Sequence, residues 1–233
     1  MDVVFDNIPL LWQGLLVTLQ VTALSSLLTV LVAFAAGLAR LSALWIVRGP
    51  AAVFIEVFRG TSLIVQMFWF FFALPLFGVQ MTPLMAGVLA LGLNEGAYAA
   101  EIVRGSIESR PRGQTEACIA LGIPPAKRMR RILIPQSLPA MLPPFGNVLV
   151  DLLKNTSLVS TVTVLDLTYQ ANLLRTNTGE TVPIYLTLLV IYFVLSLLLS
   201  LLIRWLEGRL AIDRTTGPAK RSGRRLSWSG ART

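Results

Sequence analysis

The sequence is poor in charge, nearly devoid of cysteine and without histidine. Of its 233 residues only 14% are Asp, Glu, Lys or Arg, against about a quarter in an ordinary soluble domain. So few charges cannot coat a water-facing surface, and with 55% hydrophobic residues the composition is that of an integral membrane protein. The single cysteine, Cys118, and the lack of histidine exclude a disulfide framework, a zinc site built from ordinary ligands and any histidine-based triad. No metal or cofactor is expected. A helix crossing a bilayer needs about 20 apolar residues, which leaves no length for a sizeable soluble domain beside several crossings.

The few charges divide the chain into blocks. No ionisable residue lies between Asp6 and Arg40, so Leu11–Leu38 reads as a first, long span. None lies between Arg59 and Glu95 either, a stretch too long for one crossing, and Pro75, Gly78 and Pro83 mark a turn inside it. Spans are predicted there at Leu63–Phe77 and Leu84–Val103. A fourth is predicted over Pro143–Leu165, with Asp151 and Lys154 embedded and Pro135, Pro139, Pro143 and Pro144 crowding its entrance. A fifth covers Val182–Ile203. The expected fold class is an all-α integral membrane protein with five transmembrane helices.

Basic residues collect on the cytoplasmic side of a membrane. Arg104–Arg131 carries seven basic residues against Glu108 and Glu116, and Arg204 to the end carries eight against Glu207 and Asp213. The segment Arg40–Arg59, read as a loop, adds three against Glu56. The N-terminal tail with Asp2 and Asp6, the uncharged Phe77–Pro83 turn and the Asp166–Thr181 loop share none of this excess. With five spans, all three basic segments fall on one side, the N-terminus outside and the C-terminus inside. The net charge of +8 then follows from topology, and no nucleic-acid partner is expected. An acidic start and a long first apolar stretch argue against a cleavable signal peptide. Residues 1–211 read as a transmembrane domain, and 212–233, rich in Gly, Ser and Arg, as a basic cytoplasmic tail expected to be disordered.

Thr18, Thr22, Ser25 and Thr29 form a stripe of small hydroxyl residues along the first span, suited to close helix packing. Ionisable groups at membrane depth say more, because they are costly there. In the third span Asn94, Tyr98 and Glu101 fall at i, i+4 and i+7 on one helical face, and Glu95 lies beside Asn94. An amide, a phenol and a carboxylate on one face suit a small zwitterionic solute. The competing reading pairs Glu101 with Arg104. Glu95 has no partner nearby in sequence and is either a pathway residue or one neutralised or paired across helices. Asp151 and Lys154 are spaced to neutralise each other, with a place in the solute path as the alternative.

The loop between the third and fourth spans reads Arg110-Pro-Arg-Gly-Gln-Thr-Glu116-Ala117-Cys118-Ile-Ala-Leu-Gly122, then Ile123-Pro124-Pro125, then Lys127 to Arg131. Thr115 and Glu116 are expected to open a short helix, and Gly122 with the two prolines to close it. Such a helix, with small residues and one glutamate, suits docking into a groove on another protein; on physics alone, a helix lying on the lipid surface competes.

This loop resembles the Glu-Ala-Ala loop of permease subunits of ATP-binding-cassette importers, here Glu116-Ala117-Cys118, Gly122 and Ile134-Pro135, with Cys in place of the second Ala. Glu56-Val-Phe-Arg59-Gly60-Thr61-Ser62-Leu63 with Gln66 is similar to a segment of polar amino-acid permeases, with Ser62 in place of Pro. Ala97-Tyr98-Ala-Ala-Glu101, Pro143-Pro144-x-x-Asn147 and Lys154-Asn-Thr156-Ser157-Leu158 follow in that family's order, and Pro139 departs from it. The resemblance implies an importer permease of the bacterial cytoplasmic (inner) membrane for a polar amino acid, with no catalytic site of its own. It implies a dimer of cytoplasmic ATPase subunits, a second permease subunit, identical or homologous, and an extracytoplasmic solute-binding protein as partners. In that reading Glu116, Ala117, Cys118 and Gly122 couple to the ATPase, with Ala117 and Gly122 permitting close approach; Asn94, Glu95, Tyr98 and Lys154 are the candidates for the solute path, on their place at membrane depth. Arg59 is expected to gate or to pair with Glu56. The alternative solute is a compatible solute such as ectoine or hydroxyectoine. A channel would need no docking helix, and a membrane enzyme would need a nucleophile and base that this chain lacks.

Overall fold

The computed structural model describes residues 6–210; the tail expected over 212–233 lies outside them. The elements are α1 (Ile8–Arg40), α2 (Trp45–Gly60), α3 (Leu63–Phe68), α4 (Pro83–Glu108), α5 (Arg112–Ala120), α6 (Pro125–Arg128), α7 (Ile134–Asn155), α8 (Leu167–Thr178) and α9 (Thr181–Leu210). Helix α3 continues through a π turn (Trp69–Ala73) and a 3-10 turn (Leu74–Phe77), α6 through a π turn (Met129–Leu133) into α7, and α7 into a 3-10 turn (Thr156–Val162). Among the described residues there is no strand.

Helix α4 is the axis of the bundle, buried on most sides from Ala86 to Ile107. Its tolerance of Asn94 and Glu95 follows, since neither faces lipid. Helix α1 lies along it through small residues. A Cβ on Gly92 would stand 2.5 Å from Leu28, one on Gly96 2.7 Å from Val32, and one on Gly37 of α1 2.7 Å from the Ala100 carbonyl oxygen. The hydroxyl stripe joins this contact: Thr18, Ser25 and Thr29 are buried, and Thr29 Oγ1 donates to the Gly92 carbonyl at 3.5 Å. Thr22 bonds back to the Thr18 carbonyl at 2.7 Å. Small residues that let two backbones approach replace the hydrophobic drive that lipid does not supply. Helix α9, by contrast, exposes the large apolar residues Leu189, Phe193, Leu197 and Leu201.

By length and apolarity, α1 and Thr181–Arg209 can each cross a membrane alone. Two further candidates are bent pairs: Trp45–Gly60 with Leu63–Phe77, at 106°, and Pro125–Val162 with Leu167–Thr178, at 52°. The segment expected as a loop between Arg40 and Arg59 is instead α2. Its charges Arg48, Glu56 and Arg59 sit on an amphipathic helix whose Ile55 is buried, so charge marked a polar face and not a break. Helix α7 opens at Ile134 rather than at Pro143 and passes through Pro139, Pro143 and Pro144. Inside a membrane, prolines within a helix are tolerated where neighbouring helices pack against it.

Candidate functional site

The break between α2 and α3 creates the main polar cluster. A helix end leaves its last carbonyls without partners, and side chains of α3 and α4 take them up. The Phe58 carbonyl accepts from Asn94 Nδ2 at 2.8 Å and from Gln66 Nε2 at 2.9 Å. Gln66 Nε2 also donates to Thr61 Oγ1 at 2.7 Å, and Asn94 Nδ2 reaches Gln66 Oε1 at 3.3 Å. One turn further along α4, the Tyr98 hydroxyl donates to the Arg59 carbonyl at 3.3 Å, and the Arg59 guanidinium lies 5.2 Å from the centre of the Tyr98 ring. The expected solute-facing row of Asn94, Tyr98 and Glu101 is therefore occupied. The amide and phenol cap a broken helix, and Glu101 accepts from Arg104 at 2.8 and 2.7 Å with Arg40 at 3.8 Å. Among the described residues Arg59 makes no ion pair with Glu56; from the last turn of α2 its guanidinium lies over the Tyr98 ring instead.

Glu95, only 6% exposed, is paired across helices: its Oε1 accepts from Asn155 Nδ2 of α7 at 2.9 Å. Lys154, the neighbour of Asn155, forms the expected pair with Asp151 at 3.6 Å, both side chains being exposed. Asn94 and Glu95 thus sit together inside the bundle, with Tyr98 and Lys154 at its accessible edges. Sequence reasoning gave no role to Gln66, Asn155 or the Phe58 carbonyl. Both amides lay in the permease-like segments, Gln66 after Glu56–Leu63 and Asn155 within Lys154–Leu158, but neither segment said what the side chain would bond.

The second site is α5. It opens at Arg112, after Pro111, and not at Thr115. Its end is a Schellman turn: Gly122 N–H donates to the Ile119 carbonyl and Ile123 N–H to the Cys118 carbonyl, each at 2.9 Å. Gly122 is left-handed, with φ +68°, which a residue without Cβ adopts at little cost. Glu116 and Ala117 are exposed, as are Ile119 at 62% and Leu121 at 77%. Cys118, the third residue of the motif, is buried and turns away from that face. The loop is tied to α7 by Arg110 Nη1, which donates to the Gln136 carbonyl at 3.2 Å.

A short helix between long apolar helices exposes a glutamate among small and apolar residues. Residues 29–212 match the family described as binding-protein-dependent transport system inner membrane component. The chain belongs to this family. A probable amino-acid ABC transporter permease protein, y4tF of Sinorhizobium fredii, is 42% identical over 87% of this chain and 88% of its own length. The glutamine transport system permease protein GlnP of Escherichia coli is 36% identical over 90% of this chain and 96% of its own. The L-cystine transport system permease protein TcyB of Bacillus subtilis is 36% identical over 87% of each. Among solved structures, that of an amino acid ABC transporter with histidines superposes with a TM-score of 0.82 at 36% identity, covering 88% of this permease and 96% of that chain. The permease is an inner-membrane component, as its relatives are.

Proposed function

We propose that this permease imports a polar amino acid across the cytoplasmic membrane, driven by a separate ATPase. The observation that carries the reading is the exposed surface at α5, formed by Glu116, Ala117, Ile119 and Leu121. Such a surface on a short rod between two long helices suits a cleft on a nucleotide-driven partner. Glu116 supplies a charge for that cleft and Ala117 permits close approach. Gly122 sets the end of the rod, and Cys118 fixes it to the permease body. Closure and opening of the ATPase then bias a two-state bundle.

Five spans are assigned: α1, α3 with its two turns, α4, α7 with its 3-10 turn, and α9, with the N-terminus outside. The basic segments then share the cytoplasmic side with α5. Two permease subunits enclose the path, and an extracytoplasmic binding protein delivers solute. Amino-acid relatives support the solute class, and the ectoine alternative draws no support from them. Within the path, Glu95 offers a carboxylate to a solute ammonium, with Asn94, Tyr98 and Lys154 around it. Exchange of the capping bonds of Asn94 and Tyr98 for bonds to solute would link solute to the α2–α3 break. Uptake of radiolabelled amino acids into proteoliposomes holding the permease, its co-purified ATPase and its binding protein tests the reading. ATP-dependent uptake of a polar amino acid is expected; purification without any ATPase, and no such uptake, contradicts it.

A further inference from the structure

Lys127, Arg130 and Arg131 cluster where the basic segment leads into α7. They lie at i, i+3 and i+4, a spacing that shares a helical face, where α6 widens into the π turn Met129–Leu133. With Ala126 they line an open hollow of about 470 Å³. Among the described residues none of the three has an acidic partner: the ion pairs there are Arg40–Glu101, Arg104–Glu101, Arg104–Glu108 and Lys154–Asp151. Two residues on, Leu133 is buried, and Leu138 of α7 is exposed, so the hollow stands where the chain passes from a charged to an apolar layer. Unpaired cations around a hollow at that boundary are complementary to a phosphate group, which arginine forks can grip through two oxygens. The same segment joins α5 to α7.

We propose that Lys127, Arg130 and Arg131 form a binding site for the phosphate headgroup of an anionic lipid of the cytoplasmic leaflet, bracing the root of the α5 rod. The assignment rests on the membrane orientation given under the proposed function. Basic residues just inside a membrane are drawn to anionic lipid generally, so the site must exceed that background.

The test uses the full-length permease in nanodiscs of phosphatidylcholine doped with phosphatidylglycerol, with retained lipid counted by native mass spectrometry. Neutralising the site with Lys127→Gln, Arg130→Gln and Arg131→Gln is expected to weaken phosphatidylglycerol retention about tenfold, and Arg131→Gln alone about threefold. Removing as much charge elsewhere, with Arg112→Gln, Arg204→Gln and Arg209→Gln, is expected to lower it only by the general attraction of surface cations for anionic lipid, clearly less than the loss at the site. Equal losses in the two triple variants, or no loss in either, overturn the site. Inorganic phosphate that protects the site in pure phosphatidylcholine discs, without phosphatidylglycerol preference, overturns the lipid assignment in favour of a soluble phosphate. Loss of the co-purifying ATPase with lipid retention unchanged overturns it in favour of a protein contact. No solute or ATP enters the lipid count, so failure of the transport reading would show separately, as absent uptake by wild type.

Discussion

Asn94 of α4 donates a hydrogen bond of 2.8 Å to the carbonyl of Phe58, closing the end of a helix that breaks by 106° inside the bundle. The backbone break and the amide depend on each other: without a donor the carbonyl would be unpaired in an apolar surround, and without the break Asn94 would have no such partner.

Asn94→Ala is expected to destabilise the permease by about 1 kcal/mol, the low end for a buried partner because Gln66 still reaches the same carbonyl. Asn94→Ala with Gln66→Ala should lose more than the two single losses combined. Thermal unfolding midpoints in detergent check this; strictly additive losses would remove the shared-carbonyl account.

Glu95→Gln keeps an acceptor for Asn155, whose bond to Glu95 is 2.9 Å, so folding should be preserved. Loss of the carboxylate is expected to reduce uptake of zwitterionic or cationic solute by about tenfold, with ATPase assembly unchanged. Normal uptake kinetics in proteoliposomes would take Glu95 out of the path.

Gly96→Leu places a side chain where a Cβ alone would come within 2.7 Å of Val32. Overpacking of the α1–α4 contact should cost about 1–3 kcal/mol or more and lower the yield of monodisperse protein. The same change at Gly105, where a Cβ meets nothing within 4 Å, is the matched control, and equal behaviour of the two would contradict the packing argument.

The long helices were legible from charge-free runs alone, since Leu11–Leu38 and Val182–Ile203 lie inside α1 and α9. Helix α2 was not, because Arg48, Glu56 and Arg59 punctuate it as a loop would be punctuated; only Ile55, packed in the core, shows that one face is buried. The i, i+3 pairs Glu101–Arg104 and Asp151–Lys154 could be read from spacing, being local. Asn155–Glu95, sixty residues apart, and the Phe58 carbonyl are tertiary facts with no periodicity to announce them. Cys118 was legible as part of a motif but not as buried, because motif membership does not say which way a side chain turns.

Gly122→Ala is expected to destabilise the end of α5 by about 1–2 kcal/mol, since φ there is +68° and alanine resists the left-handed region. Gly122→Asn tolerates that conformation better and should restore the helix end. Transport that returns with asparagine assigns Gly122 to the turn; transport that stays lost assigns it also to close approach of the ATPase. Circular dichroism and uptake together separate the two.

Glu116→Lys, on the exposed face of α5, is expected to abolish ATP-driven uptake while membrane insertion and solute-binding-protein docking persist. Uptake at the wild-type rate would refute the coupling role of this residue.

The most direct test of the account is disulfide or bifunctional crosslinking from single cysteines introduced as Ala117→Cys, Ile119→Cys and Leu121→Cys in a Cys118→Ser background. The account predicts that each captures the ATPase subunit in a complex competent for uptake before crosslinking, and that uptake stops when the crosslink forms. Crosslinks that trap only lipid or a second permease, at all three positions of a transport-competent complex, would contradict it.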